Sequence, residues 1–587
     1  MEQCGAALAG PGRIPPTPLP AEVPTTAYFH GNQAPGYNDG PAMARRFQIA
    51  ALFLVILVLL GYGIQKSGLA SVYSDPVSQA RAQDETTYAS SAVGLANGGG
   101  WLTPKVLGRF YLVKPPLLIW LAGLSMRTLG ISLVALRLPV LLAGALATVL
   151  LFLWAERRYS RWTAASVALL AVANPLWHTF SRICYTDMLL ALAMVGALRT
   201  FDRDWNLARP RSILLFGGCL AFGVMAKNVA GLLPLAIVLL ACLLARRRPP
   251  VAGLMKAGSV AILLVAPWHL YQALSHARWF FTDYVQIQLL QFGLEPPVQP
   301  SADGPVWFYV KRLALTDPLL VALSALALPQ LIRWLRAGMP EASLLVSWLL
   351  ITCGALLAFR YRNLPYLLYA IPPLCLLGAS ALARLGRPKL VAAALAAVFA
   401  IKAATGSEFW GVPFGAAAPV PAAKMLRWYA GQRRPNALIA VDSDDEFYAT
   451  ALPIPKIRYC YLDPTQLVRR HAPQYEFLGI TVSAAQFQDM DQWEPRFQQR
   501  LLEWGLASTE PVATNIMAGS MDEIVRLVVT HPAADFYLPA NVVVQLPEEV
   551  IAARHMALFS RDRSFLLAAD APKGRVAPPA WHLPENW

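Results

Sequence analysis

Two adjacent acids, Asp84 and Glu85, open the stretch DETTYAS, with a tyrosine, Tyr88, four residues after the first of them. Further polar residues recur at intervals: Lys114 in YLVKPPLL, Asp187 in CYTDMLL, Lys227 in AKNVAGLLP, and Arg360, Arg362 and Tyr366 in FRYRNLPY. A carboxylate in such a set can serve as a general base or stabilise an oxocarbenium-like sugar. Lysine and arginine bind phosphate, arginine bidentately. Each residue also has a structural reading. Acids suit a helix's first turn, Asp187 can cap the helix it opens, and Lys114, Arg360 and Arg362 can anchor at headgroup level. Lys227 stands at the edge of two tight apolar runs, where an ionisable group usually finds a partner.

These residues punctuate an oily chain. Of 587 residues, 56% are apolar and 14% charged, against about 25% charged in ordinary soluble domains. Mean hydropathy is +0.44. The net charge of +15 would allow an anionic partner, but its Lys and Arg residues cluster in short loops between apolar runs. That pattern is membrane topology rather than nucleic-acid binding. The seven cysteines form no CxxC pair and no disulfide framework. The eight histidines show no ligand spacing, so neither a metal nor a cofactor is expected. Trp268 and His269 read as an interfacial belt, and no GxGxxG, P-loop or GxSxG motif occurs.

About 20 apolar residues span a bilayer as a helix. Eleven segments qualify: roughly 45–64, 133–155, 162–181, 186–201, 212–226, 229–245, 255–273, 313–335, 342–359, 364–383 and 388–404. The run PPLLIWLAGL (115–124) is too short and reads as re-entrant or interfacial. With the N-terminus inside and this run not crossing, Arg157, Arg158 and Arg161 fall inside. So do Arg203, Arg209 and Arg211, then Arg246 to Arg248, Arg333 and Arg336, and Arg384, Arg387 and Lys389. Short inner loops are then basic, as the positive-inside rule requires; a crossing at 115–124 would invert the pattern. The fold class expected is mainly α: a polytopic bundle of about 11–13 spans with interfacial helices in its first outer loop. Residues 1–43 read as a disordered Pro-rich tail, 44–404 as the membrane domain and 405–587 as an outer α/β domain. In the last, ALIAV, FLGITV and NVVVQL read as strands and MDEIVRLVV as a helix; the acidic run from Asp442 to Glu446 reads as a solvated loop.

In this topology Asp84, Glu85, Lys114, Asp187, Lys227, Arg360 and Arg362 all face the outer boundary. Carboxylates among cations at headgroup level, beside an apolar bundle able to take a lipid tail, suit a lipid-phosphate sugar donor. A transporter would instead place ionisable groups near the midplane and show inverted repeats. The charges stand at one face, and no repeat is evident. A lipid or solute flippase, or a membrane-anchored binding protein acting through residues 405–587, are the rival classes.

The motifs, in order, resemble those of the membrane type-C glycosyltransferases, specifically the aminoarabinose (lipid A) transferase and protein mannosyltransferase relatives. The stretch DETTYASSAVGLANGGGWLTP is similar to that family's acidic first loop, GRFYLVKPPLLIWL to its lysine-proline-proline segment, and GISLVALRLPVLLAG to its ALRLP helix entry. YTDMLLAL, AKNVAGLLP and FRYRNLPYLLYAIPPLCLL are similar to three further family motifs. The resemblance covers about 81–383. It implies that Asp84 is the catalytic acid, with Glu85 and Tyr88 beside it, and that Lys114 and Arg362 handle the lipid phosphate. It further implies inverting transfer from a polyprenyl-phosphate sugar to an envelope glycolipid or protein, at the periplasmic face of a bacterial inner membrane. The partners expected are that donor, that acceptor and membrane lipids, with no nucleic acid. The sequence departs from the motifs at Val113, where the family has glutamate, at Gln288, where it has histidine, and at Asn228, where it has glycine. The first two are associated with a metal in the lipid A branch, so their loss again implies no metal, and a divergent substrate.

Overall fold

The computed structural model describes residues 39–61, 84–106, 109–277, 280–291, 305–358, 364–405 and 436, with eight shorter segments between 438 and 569: 438–441, 457–462, 475–477, 480–482, 516–518, 521–539, 543–559 and 564–569. Residues 1–38 of the expected tail 1–43, Arg360, Arg362 and the run 442–446 lie outside the described residues, while 39–43 are helical.

Apolar runs become helices because a chain in hydrocarbon must satisfy its own backbone. The helices are α1 (Asp39–Gly61), α2 (Asp84–Ala96), α3 (Leu117–Leu129), α4 (Leu133–Glu156), α5 (Arg161–Ala173), α6 (Pro175–Phe180), α7 (Thr186–Arg203) and α8 (Pro210–Lys227). They continue with α9 (Leu233–Leu244), α10 (Val251–Ser275), α11 (Pro305–Thr316), α12 (Pro318–Arg336), α13 (Pro340–Ala358), α14 (Ile371–Ala383) and α15 (Pro388–Thr405). All eleven expected spans are therefore helical. Among the described residues, six helical stretches are long and apolar enough to cross a membrane: Met43–Gly61, Val134–Glu156, Pro210–Leu244, Val251–Ser275, Pro318–Arg336 and Pro340–Ala358.

Several expected spans are broken, and local chemistry explains each break. Asn174, in an extended conformation, ends α5 and caps α6, its side chain accepting from Trp177 N at 3.0 Å, with Pro175 next. The run 364–383 begins as a 3-10 turn, Leu364–Tyr369, before α14; Pro365, Pro372 and Pro373 interrupt regular helix there. The stretch Pro210–Leu244 is two segments. A straight helix would put residues eight apart at about 12 Å. Instead a Cβ on Gly223 would stand 3.0 Å from Gly231 Cα, so the chain folds back. The expected outer loop between α10 and α12 is itself largely helical, carrying a π-helix over Phe280–Gln291 and then α11.

The core is apolar and aromatic, with Trp177, Trp348, Phe201 and Phe216 fully buried. By contrast α1 leaves Phe47, Leu54 and Val58 exposed on its surface, as a lipid-facing helix does.

In the C-terminal part the strands are β3 (Leu438–Val441), β4 (Ile457–Leu462), β5 (Tyr475–Phe477), β6 (Ile480–Val482), β7 (Ile516–Ala518), β8 (Asp535–Pro539), β9 (His555–Phe559) and β10 (Ser564–Ala568). They follow β1 (Lys105–Val106) and β2 (Arg109–Phe110) of the first loop. Six form one mixed sheet in the order β7-β4-β3-β8-β10-β9, parallel from β7 to β8 and antiparallel from β8 to β9. Helix α16 (Met521–Thr530) buries Ile524 and Val528 in the core that Ile439, Phe536 and Leu538 form. ALIAV and MDEIVRLVV thus adopt the expected structures, whereas FLGITV, expected as one strand, is divided between two antiparallel ones, Phe477 ending β5 and Ile480–Val482 forming β6. NVVVQL does not: its described part is a turn that buries Val543 and Leu546 and exposes Val544. Short apolar runs carry no signal that separates a strand from a packed turn.

Candidate active site at the outer helix ends

Helix α2 begins at Asp84, and the next residue fixes it in place. Glu85 is fully buried and receives two hydrogen bonds from Arg137 of α4, Nε to Oε1 at 2.8 Å and Nη2 to Oε2 at 2.9 Å. Cys184 N donates to Oε1 at 2.8 Å. One carboxylate so ties α2 to α4 and to the 181–185 loop that leads into α7. A buried pair of this kind needs bidentate geometry and extra donors, and both are present. Expected beside Asp84 in the chemistry, Glu85 has both oxygens engaged in the interior; its geometry positions α2.

One turn on, Tyr88 is buried with its hydroxyl 2.6 Å from Lys114 Nζ. Tyr111 and Tyr185 meet its ring edge-to-face at centroid distances of 6.2 and 6.5 Å, and the ammonium lies 5.3 Å from the same ring's centroid. Lys114 precedes Pro115 and Pro116, which lead into α3. With 13 residues, α3 is about 20 Å long, short of the about 30 Å of hydrocarbon. Trp120 Nε1 of α3 donates to Trp101 O at 2.6 Å, and Ser91 Oγ of α2 donates to Lys105 O at 2.9 Å. From the far side Trp268 Nε1 and Gln272 Nε2 of α10 donate to Leu102 O at 2.9 and 2.6 Å. Trp268 therefore holds the first loop. Burial pulls the Lys105 ammonium below its usual pKa, and Lys105 Nζ lies 5.2 Å from the centroid of Phe110.

A second cluster adjoins. Lys227 closes α8 and pairs with Asp187 in the first turn of α7. Tyr369 donates to Asp187 Oδ1 at 2.7 Å and accepts from Lys227 Nζ at 3.0 Å. Tyr366 lies under the ammonium, 4.4 Å from Nζ to its ring centroid. Asn228, with φ +53, turns the chain, and its Nδ2 reaches 3.5 Å from Val113 O beside Lys114. So the expected residues Tyr88 and Lys114 come together, as do Asp187, Lys227 and Tyr366, and the two groups meet through Asn228 and Val113. Sequence reading passed over three participants: Arg137, Tyr185 and Tyr369. The charged residue inside the apolar run ALRLP was the one available signal; nothing in a lone tyrosine separates Tyr369 from its neighbours.

The arrangement offers cations and phenol hydroxyls beside the first residue of α2, at one end of the bundle. It suits an anionic headgroup and a group that can move a proton.

Residues 113–271 match the family model for dolichyl-phosphate-mannose-protein mannosyltransferase. Among curated proteins, the undecaprenyl phosphate-alpha-4-amino-4-deoxy-L-arabinose arabinosyl transferase of Pseudomonas paraeruginosa is 28% identical over 306 residues, 51% of this chain and 55% of that protein. Its counterpart from Pectobacterium carotovorum is 29% identical over 318 residues, 51% of this chain and 54% of that one. The chain thus spans about half the length of the curated relatives it matches. The crystal structure of ArnT from Cupriavidus metallidurans bound to undecaprenyl phosphate superposes with a TM-score of 0.63 at 16% identity, covering 90% of this chain and 99% of that chain. At that identity the likeness establishes a common fold.

Proposed function

We propose that this chain, a divergent member of the type-C membrane glycosyltransferase superfamily, moves a sugar from a polyprenyl-phosphate donor to an envelope glycolipid or protein at the periplasmic face of a bacterial inner membrane. The observation that carries the reading is the meeting of the Tyr88–Lys114 pair with the Asp187–Lys227–Tyr369 cluster, next to the start of α2.

In this reading Asp84 takes the proton from the acceptor hydroxyl. The acceptor oxygen bonds to the anomeric carbon as the bond from that carbon to the phosphate oxygen breaks, which inverts the centre. Charge builds on the departing lipid phosphate. Lys114, helped by Arg360 and Arg362, stabilises it, and cations fixed beforehand cost no reorganisation at that moment. Glu85 holds α2, while Asp187 and Tyr366 hold Lys227. The C-terminal α/β part, proposed as a periplasmic domain over about 405–587, covers the site or recruits the acceptor. No step needs a metal or a nucleotide.

The test is incubation of the purified full chain with radiolabelled polyprenyl-phosphate sugars and total envelope lipids and proteins. Label moving to an envelope component supports the proposal. If no donor passes label to any acceptor, yet the protein carries the same lipids across vesicles, the flippase reading replaces it.

A further inference from the structure

The bundle end opposite the proposed active site, which the positive-inside pattern assigns to the inner face, carries a second charged cluster. Arg158, after the end of α4, pairs with Asp202 of α7 and, through Nη1 at 3.3 Å, with Glu341 of α13. Arg45 of α1 holds Glu156 at 3.5 Å. These contacts draw the inner ends of α1, α4, α7 and α13 together and engage three acids, with Asp202 Oδ2 left buried and without a hydrogen-bond partner among the described residues.

Three guanidiniums remain around them. Arg199 and Arg203 stand one turn apart on α7, a like-charge spacing that disfavours the helix. Arg157 caps α4. Arg199 is within electrostatic reach of Arg203, Asp202 and Arg157, and Arg203 of Arg157, Asp202 and Arg45. None of the three has a carboxylate within 4.0 Å among the described residues. Arg199 keeps its Nε buried with no hydrogen-bond partner among the described residues; Arg157 and Arg203, beside it, are exposed. An unpaired, part-buried guanidinium flanked by two more calls for an anion, and the planar fork matches phosphate. The level in the membrane names its carrier. Trp162, 46% exposed at the start of α5, marks the interface, and Phe47 and Leu54 of the adjoining α1 are open to acyl chains.

We infer that Arg157, Arg199 and Arg203 form a cradle for the phosphate of an anionic phospholipid in the inner leaflet, seated between the ends of α4 and α7. This does not depend on the proposed sugar transfer.

Native mass spectrometry of the detergent-purified full chain tests it, with dioleoylphosphatidylglycerol and dioleoylphosphatidylcholine as probes. Wild type is expected to retain phosphatidylglycerol preferentially. Arg199→Gln with Arg203→Gln is expected to weaken that retention about thirtyfold, the loss that two near-surface cations carry, with melting temperature unchanged. Arg157→Gln alone, at an exposed position, should weaken it several-fold without risk to folding. Equal retention of the two lipids by wild type overturns the inference, as does undiminished phosphatidylglycerol binding in the variants. Displacement of the lipid by millimolar inorganic phosphate would make free phosphate the occupant and overturn it too.

Discussion

Removing the Glu85 carboxylate leaves Arg137 charged, buried and short of its partner, and breaking a buried pair in this way costs about 3–5 kcal/mol. Glu85→Gln is therefore expected to lower the melting temperature sharply. Glu85→Leu combined with Arg137→Met should recover most of the loss, since apolar replacement of a whole buried pair is often neutral; thermal melts of the three proteins decide it. Asp84→Asn is expected to behave oppositely, with an unchanged melt and transfer reduced about 10²–10⁴-fold, the usual weight of a general base. Near-normal turnover in that variant would end the proposed chemistry. Adjacent acids were legible in the sequence as a pair, with Asp84 expected to do the chemistry and Glu85 to support it, but the groups that Glu85 joins were not. Glu85 bonds to Arg137, 52 residues further on, and to a backbone N–H at Cys184, 99 residues further on. Side-chain types at such separations carry no local pattern that joins them. Lys114 and Tyr88 were easier, because both lie within one short loop and its flanking helix.

At the level of elements, the turn after α8 sets where Lys227 stands. A Cβ on Gly231 would come 2.1 Å from Val224 N and 2.3 Å from Gly223 C, so only glycine lets the 3-10 turn close against its own helix. Gly231→Ala is expected to cost about 1–3 kcal/mol as overpacking and to displace Lys227 from Asp187. Kinetically, kcat/KM for the donor should fall even when rates are normalised to folded protein. If the normalised rate stays at the wild-type level, the turn matters for folding alone. For the expected spans helix existence was readable from apolar runs of sufficient length, and so was the change of composition after about 405, but Phe280–Gln291 and α11 turned an expected loop helical. Helix breaks were less so: they depend on Asn174 capping and on prolines whose effect is known only once the neighbouring helix is placed. NVVVQL failed as a strand for a related reason, because alternation in six residues fits a turn that buries Val543 and Leu546 equally well.

For the whole molecule, everything depends on whether α3 crosses. If it does not, the basic loops fall on one side, and the Lys114 and Lys227 clusters share the other. The helix is too short to span, and it lies against α2, tied to the first loop through Trp120 and Trp101. Both ends should then face the outer compartment. Single cysteines at Asn97 and Thr128, both exposed positions bracketing α3, test this in a chain with the seven native cysteines replaced. Each should react with a membrane-impermeant maleimide added to intact spheroplasts. Arg248→Cys, in the basic loop after α9, should react only after permeabilisation. Labelling of Asn97→Cys from outside while Thr128→Cys stays protected would mean that α3 crosses. That would invert every later loop and separate Lys227 from the site that Lys114 serves, and a single phosphate-linked donor could no longer engage both.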